Sequence, residues 1–98
     1  MPVPEERLEP IREYLRHAFP QWELADQWDG HHEAHSFRLT RAGNPVHLLK
    51  VSREFLEDNE PAEIAAITEG RGVAAVLRQA AQHRVLLTNN GIAELPPA

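Results

Sequence analysis

The sequence predicts a two-layer α+β sandwich in the order α-β-β-β-α-(α)-β, with helices on one face of a mainly antiparallel sheet. Three observations predict it. Leu8, Ile11, Leu15, Ala18 and Phe19 recur at helical spacing ahead of Pro20. From Trp22 to Ser52 apolar residues alternate, broken at Asp29-Gly30 and at Ala42-Gly43-Asn44-Pro45, which is the pattern of a three-stranded meander. After Asn59 the period becomes helical again, and a short apolar run, Val85-Leu86-Leu87, follows.

The first helix is expected to begin near Glu9, because proline suits a first turn and Pro10 would sit there. Glu9 and Glu13 near its start and Arg16 and His17 near its end suit the helix dipole. Pro20 ends it, since the residue before a proline avoids helical angles. Trp22, Leu24 and Trp28 then share a strand face with Asp26. Asp29-Gly30 signals a hairpin turn. A two-residue turn there pairs Trp22 with Phe37 and Leu24 with His35, and sets Asp26 opposite Glu33. Facing like charges are unfavourable, so a longer loop is the alternative.

The second strand is expected from Glu33 to Thr40 and the third from Val46 to Val51, with Pro45 in the turn. Val46, Leu48, Leu49 and Val51 do not alternate cleanly, so either both faces are partly covered or a bulge lies at Leu48-Leu49. Ser52 can cap a short helical turn through Phe55 and Leu56. Asn59-Glu60-Pro61 reads as a helix start, with Ile64 and Ile67 inward. Gly70 or Gly72 ends or breaks that helix, and a second helical segment runs from Val73 with Val76, Leu77 and Ala80 inward. Val85–Leu87 is the fourth strand, stopped by Asn89-Asn90-Gly91. Residues 1–92 are expected to form one domain, and 93–98, ending Leu95-Pro96-Pro97-Ala98, a disordered tail.

The chain has 98 residues, no cysteine and a net charge of -5. Lacking cysteine, it has no disulfide, thiolate metal site or cysteine nucleophile. The start, MPVPEER, lacks the regions of a signal peptide, and a cytoplasmic protein with no membrane span is expected. Nine of the ten basic residues are arginine, Lys50 is the sole lysine, and they are scattered along the chain. Nucleic-acid binders carry a basic face, so no nucleic-acid partner is expected. No nucleophile elbow surrounds Ser36 or Ser52, and Glu69-Gly70-Arg71-Gly72 lacks the lysine of a phosphate loop. These exclusions favour a non-enzymatic module that binds another protein. The acidic stretch with Glu54, Glu57, Asp58, Glu60 and Glu63 is its candidate contact surface, and the hairpin tip Arg41–Asn44 a second.

The histidines supply the alternative. On a strand, His31, Glu33 and His35 project to one face, with Asp26 and His47 on neighbouring strands. Imidazoles with a carboxylate can hold zinc or iron. His35 has another fate open to it, as a hydrogen-bonded core histidine beside Phe37. A helix ending in proline, a strand, a histidine-bearing loop, then His35-Ser36-Phe37, Val51-Ser52-Arg53-Glu54-Phe55, and His83 before Val85–Leu87 together resemble the order in BolA-like proteins. That resemblance implies a monothiol-glutaredoxin partner and a shared iron–sulfur cluster, held by His31 or His32 with His83. The family's Arg-His-Arg segment is absent, and the hairpin through Gly43 adds a strand. The candidate metal residues are therefore His31, His35 and His83, for zinc or an iron–sulfur cluster.

Phosphate neutralisation supplies most non-specific nucleic-acid affinity. No gel shift is expected with duplex DNA or RNA at micromolar protein and physiological salt. A shift that weakens steeply with added salt would overturn the expectation.

Overall fold

A computed structural model of the chain describes residues 3–80 and 83–95. Its elements are α1 (Glu5–Ala18), β1 (Glu23–Asp29), β2 (Ala34–Thr40), β3 (His47–Ser52), α2 (Arg53–Asp58), α3 (Pro61–Gly70), α4 (Val73–Ala80), β4 (Arg84–Thr88) and β5 (Gly91–Leu95). The five strands form one sheet in sequence order, antiparallel except for the β3–β4 pair. The class is the α+β architecture that the sequence predicts, with one strand more. Antiparallel neighbours need only a turn, whereas the parallel β3–β4 step needs a long crossover, here α2, α3 and α4.

The core lies between the sheet and the helices. Phe37 and Leu39 of β2, Leu49 and Val51 of β3, and Val85 and Leu87 of β4 are all buried and share one face by register. Leu8, Ile11 and Leu15 of α1, Phe55 and Leu56 of α2, Ile64 of α3, and Val73 and Leu77 of α4 meet them. Tyr14 fastens two helices by accepting, at its hydroxyl, the backbone N–H of Ala74 at 2.8 Å. Arg78 lies over the Phe19 ring, 4.6 Å from its centroid, and donates to the Ala18 carbonyl at 2.7 Å. Among the described residues no helix is long and apolar enough to cross a membrane.

Several boundaries differ from expectation. Helix α1 starts at Glu5, four residues early, and holds Pro10 inside. Buried Val3 and Leu8 anchor its first turn on the core, and Pro10 removes a single backbone hydrogen bond close to the helix start. The tail expected from residue 93 instead begins as strand: Ala93, Glu94 and Leu95 pair with Leu86, Val85 and Arg84. The turn Asn89-Asn90 returns the chain antiparallel, and those three residues complete the ladder. Residues 96–98 lie outside the described residues. Strand β3 has an unbroken ladder at Leu48 and Leu49, so its irregular apolar pattern reflects cover on both faces rather than a bulge. Ser52 caps α2 as expected, its hydroxyl accepting from Phe55 N–H at 3.2 Å. At α3, Glu60 and Glu63 form a reciprocal capping box ahead of Pro61.

Phe37 is fully buried at the centre of this core. Phe37→Ala is expected to lower stability by about 3–5 kcal/mol. Urea unfolding at constant m-value measures it. A loss well under about 1 kcal/mol would contradict the central position of Phe37, because truncating a buried aromatic leaves a cavity.

Candidate functional site

The β1–β2 connection is a four-residue turn, Gly30–Glu33, not the two-residue turn that Asp29-Gly30 suggests. Asp29 Oδ1 accepts from the backbone N–H groups of His31 at 3.1 Å and His32 at 3.4 Å, an Asx-type turn. Glu33 takes a positive φ of 48° to close it. The resulting register sets Asp26 opposite Phe37 and Trp28 opposite His35. Asp26 therefore does not face Glu33, and the expected repulsion is absent. The shift from the expected pairing is an even number of residues, so the side chains within the two strands keep their predicted faces.

Two polar clusters follow, one on each side of the sheet. On the helix side, Arg12 of α1 grips Asp26 with two parallel bonds, Nε to Oδ2 at 2.9 Å and Nη2 to Oδ1 at 2.8 Å. Arg12 also bonds Glu5. His35 Nε2 sits 2.7 Å from Asp26 Oδ1. His35 is 5% exposed, and its Nδ1 is buried without a hydrogen-bond partner among the described residues. A proton on Nε2 thus has an acceptor, whereas one on Nδ1 has none. The hydrogen bonds from Arg12 hold the Asp26 carboxyl below the usual carboxylate range; burial opposes this and His35 adds to it. The same contacts, Asp26 first and then Glu5, push the Arg12 guanidinium upward.

On the helix-free side, Asp29 Oδ2 lies 2.7 Å from His32 Nδ1 and 2.9 Å from Lys50 Nζ. Lys50 Nζ is 3.0 Å from the same His32 nitrogen. His32 and then Lys50 hold the Asp29 carboxyl well below the usual range. The turn folds over this side, so Lys50 and Ala34 are buried there while the other described residues of that sheet face are exposed or half-buried.

The register lays that face out in rows. Gln27, Ser36, Lys50, Leu86 and Ala93 form one cross-strand row; Ala25, Arg38, Leu48, Arg84 and Leu95 form the next. Adjacent strands are about 4.8 Å apart, so each row spans roughly 19 Å. The two rows hold Arg38, Lys50 and Arg84 and no carboxylate, in a chain with 15 acidic and 10 basic residues. A groove of about 430 Å³ crosses them, lined by Gln27, Asp29, His32, Arg38, Lys50 and Arg84 among others. A groove of about 710 Å³ between α1 and α3 has the opposite character, with Glu6, Glu9, Glu13 and Glu69 around Tyr14 and Ala65.

The candidate metal residues are not brought together. His31 is exposed in the β1–β2 turn, its ring edge-on to His32 with centroids 4.9 Å apart. His35 is in the core beneath the helices, beside Phe37 at 5.0 Å between centroids. His83 precedes β4 and pairs with Glu94 of β5. It lies at the β3 end near His47, whereas the turn lies at the Ser52 end, and five residue steps along the strand separate those ends by roughly 17 Å. His47 packs against Phe19 and Trp22, with centroids 5.4 and 4.8 Å away. Among the described residues no group of three or more His, Asp or Glu side chains is disposed to hold a metal ion. His31, Glu33 and His35 fail to share a face because the first two belong to a turn, where strand parity does not apply.

The acidic stretch is largely engaged within the fold. Glu57 pairs with Arg53 at 3.2 Å, and Asp58 accepts from Asn89 at 2.8 Å. Glu60 and Glu63 cap α3, and Glu60 also meets Arg7 at 3.5 Å. Glu54 is exposed in the first turn of α2. Arg38 and Arg84 escape the sequence reading. Their signal is that they occupy the polar alternate positions of β2 and β4, but their adjacency depends on register.

No protein-family model matches the chain, and no curated protein or solved structure resembles it significantly. The class is accordingly defined by architecture: an α+β domain whose sheet is covered by helices on one face and carries Arg38, Lys50 and Arg84 in two rows of the other.

Asp26 makes stability depend on pH. Its folded value lies below the unfolded one near 3.9, so its contribution is complete above that value and is lost as pH falls through the folded value. Asp26→Asn is expected to flatten this acid limb. It should also cost about 1–3 kcal/mol at neutral pH, because Arg12 and His35 lose an acceptor. Urea midpoints across an acid pH series test both, and an unchanged limb in the variant would refute the assignment.

Proposed function

We propose that this chain is a cytoplasmic, non-enzymatic module that binds another protein through the helix-free face of its sheet. One observation carries the reading: two adjacent cross-strand rows hold three cations and no carboxylate in a chain of net charge -5. A sheet face that needs no partner is also normally polar throughout, whereas here Leu48, Leu86 and Leu95 are half-buried among the cations. Mixed apolar and arginine-bearing surface is the composition of protein interfaces. Absence of cysteine suits a reducing compartment.

The acidic stretch is the less suited surface. Ion pairs and caps already use Glu57, Asp58, Glu60 and Glu63, and a partner would have to displace those contacts. The two surfaces are separable by charge reversal. Affinity capture from the native host, with quantitative mass spectrometry, is expected to return an interactor that Arg38→Glu loses and a Glu54→Lys, Glu57→Lys double variant keeps. Arg38 is exposed, so its reversal should leave the melting temperature within a few degrees of the parent. An interactor lost by the double variant and kept by Arg38→Glu would move the contact to α2 and refute the sheet-face reading.

A further inference from the structure

We infer that the groove on this face is a carboxylate seat, and that its occupant is an acidic segment of the partner protein carrying apolar residues between its carboxylates. This rests on the sheet-face reading and names the chemistry of the partner.

Lys50 lines the groove, and its ammonium has three N–H donors. Asp29 Oδ2 takes one at 2.9 Å, and His32 Nδ1, at 3.0 Å, can take at most a second. At least one donor is left over on a side chain that is 10% exposed and lines the groove. Two of the chain's own carboxylates line the groove: Asp26, which Arg12 already holds, and Asp29, which lies between an ammonium and an imidazole, fixed by the backbone of its own turn. Asp29 orients Lys50 toward the groove and keeps the long side chain from waving in solvent. Ser36 and Gln27, Lys50's row neighbours, add neutral donors across the strands.

Arg38 stands one row away. It is exposed and forms no ion pair with a described residue, so its planar fork is open to a carboxylate. Leu48 adjoins Arg38 in its row, and Leu86 adjoins Lys50 in the other. Cation and leucine thus alternate in both directions over this part of the face. A ligand with carboxylates alone would leave the leucines wet, and an apolar ligand would bury cations without partners, which is costly. A segment that interleaves the two satisfies both.

Nucleic acid fits less well. Its phosphates would approach an acidic chain with three cations on the face, and its edges offer little to the leucines. A second copy of the chain would have to offer Glu6, Glu9, Glu13 or Glu69 from its helix side, a head-to-tail contact that continues from copy to copy. Both appear as outcomes of the test.

The probe is a synthetic peptide in which Glu and Leu are interspersed. Its counterpart has Gln for Glu, and a random-sequence DNA duplex serves as the third arm. Each is titrated into the isotopically labelled full chain and followed by amide NMR. The Glu/Leu peptide is expected to shift the amides of Ser36, Arg38, Leu48, Lys50 and Leu86, saturably and more weakly as salt rises. Arg38→Glu should bind it at least about tenfold less tightly, because a like charge then faces the ligand. Lys50→Gln, which removes the ammonium charge, should weaken binding while leaving the rest of the spectrum in place.

Equal binding of the Gln/Leu peptide would overturn the carboxylate seat, as would stronger binding of the duplex. Shifts centred on α1 and α3, with a rise in molecular mass on dilution-sensitive sedimentation, would indicate self-association instead. If no peptide binds while the host interactor still depends on Arg38, the chemistry inferred here is wrong and the sheet-face reading stands. If the interactor ignores Arg38 as well, both fall.

Discussion

The turn Gly30–Glu33 sets the register on which the rest of the sheet's chemistry depends. Asp29 builds it by accepting two backbone N–H groups from the residues that follow, and Glu33 closes it at positive φ. The turn also anchors the next layer, since the Glu33 carbonyl accepts the N–H of Arg53 at the start of α2 at 3.0 Å. With four residues in the loop, Asp26 faces Phe37 and lies beside His35, under Arg12. Lengthening or shortening the loop by one residue would invert both faces of β1 against β2, exposing Leu24 and Trp28 and turning Gln27 to the core.

Strand β1 uses the turn twice. Asp26 and Asp29 are three residues apart, so they emerge on opposite faces. Each finds one cation and one imidazole: Arg12 with His35 under the helices, Lys50 with His32 on the open side. The first cluster fastens an edge strand to α1. Edge strands are otherwise held by one neighbour and invite pairing with other chains, and β1 meets that risk with Glu23, Asp26 and Asp29. The second cluster is built by the same rules but lines the groove on the helix-free side.

Charge on the two sides of the sheet differs in how it is paired. On the helix side, Arg7, Arg12, Arg53 and Arg78 each meet a carboxylate or a backbone carbonyl, and the α1–α3 groove carries Glu6, Glu9, Glu13 and Glu69. On the helix-free side, Arg38, Lys50 and Arg84 occupy the two middle rows, with Asp29 beside Lys50.

The α+β class, the meander, the starts of α2 and α3 and the core faces of β1 and β2 were legible in the sequence, because they depend on periodicity and local turn chemistry. Ser52 and Glu60 announce helix starts through bonds to residues within one turn, and Pro61 through its fixed φ. The fifth strand was not legible. Gly91–Leu95 has little apolar alternation and becomes a strand because β4 offers it an edge. The start of α1 moved for a similar reason, since burial of Val3 and Leu8 outweighs the local preference of Pro10. The histidines show the limit most clearly. Six in a short chain invite a common site, yet His31, His35 and His83 end in a turn, in the core and at the far end of β4. The cationic rows are the converse: Arg38, Lys50 and Arg84 are scattered along the chain and become neighbours through cross-strand register. Sequence determines what each residue prefers within a turn or a strand; which residues become neighbours is decided by loop length and strand pairing, and those are settled only when the layers pack.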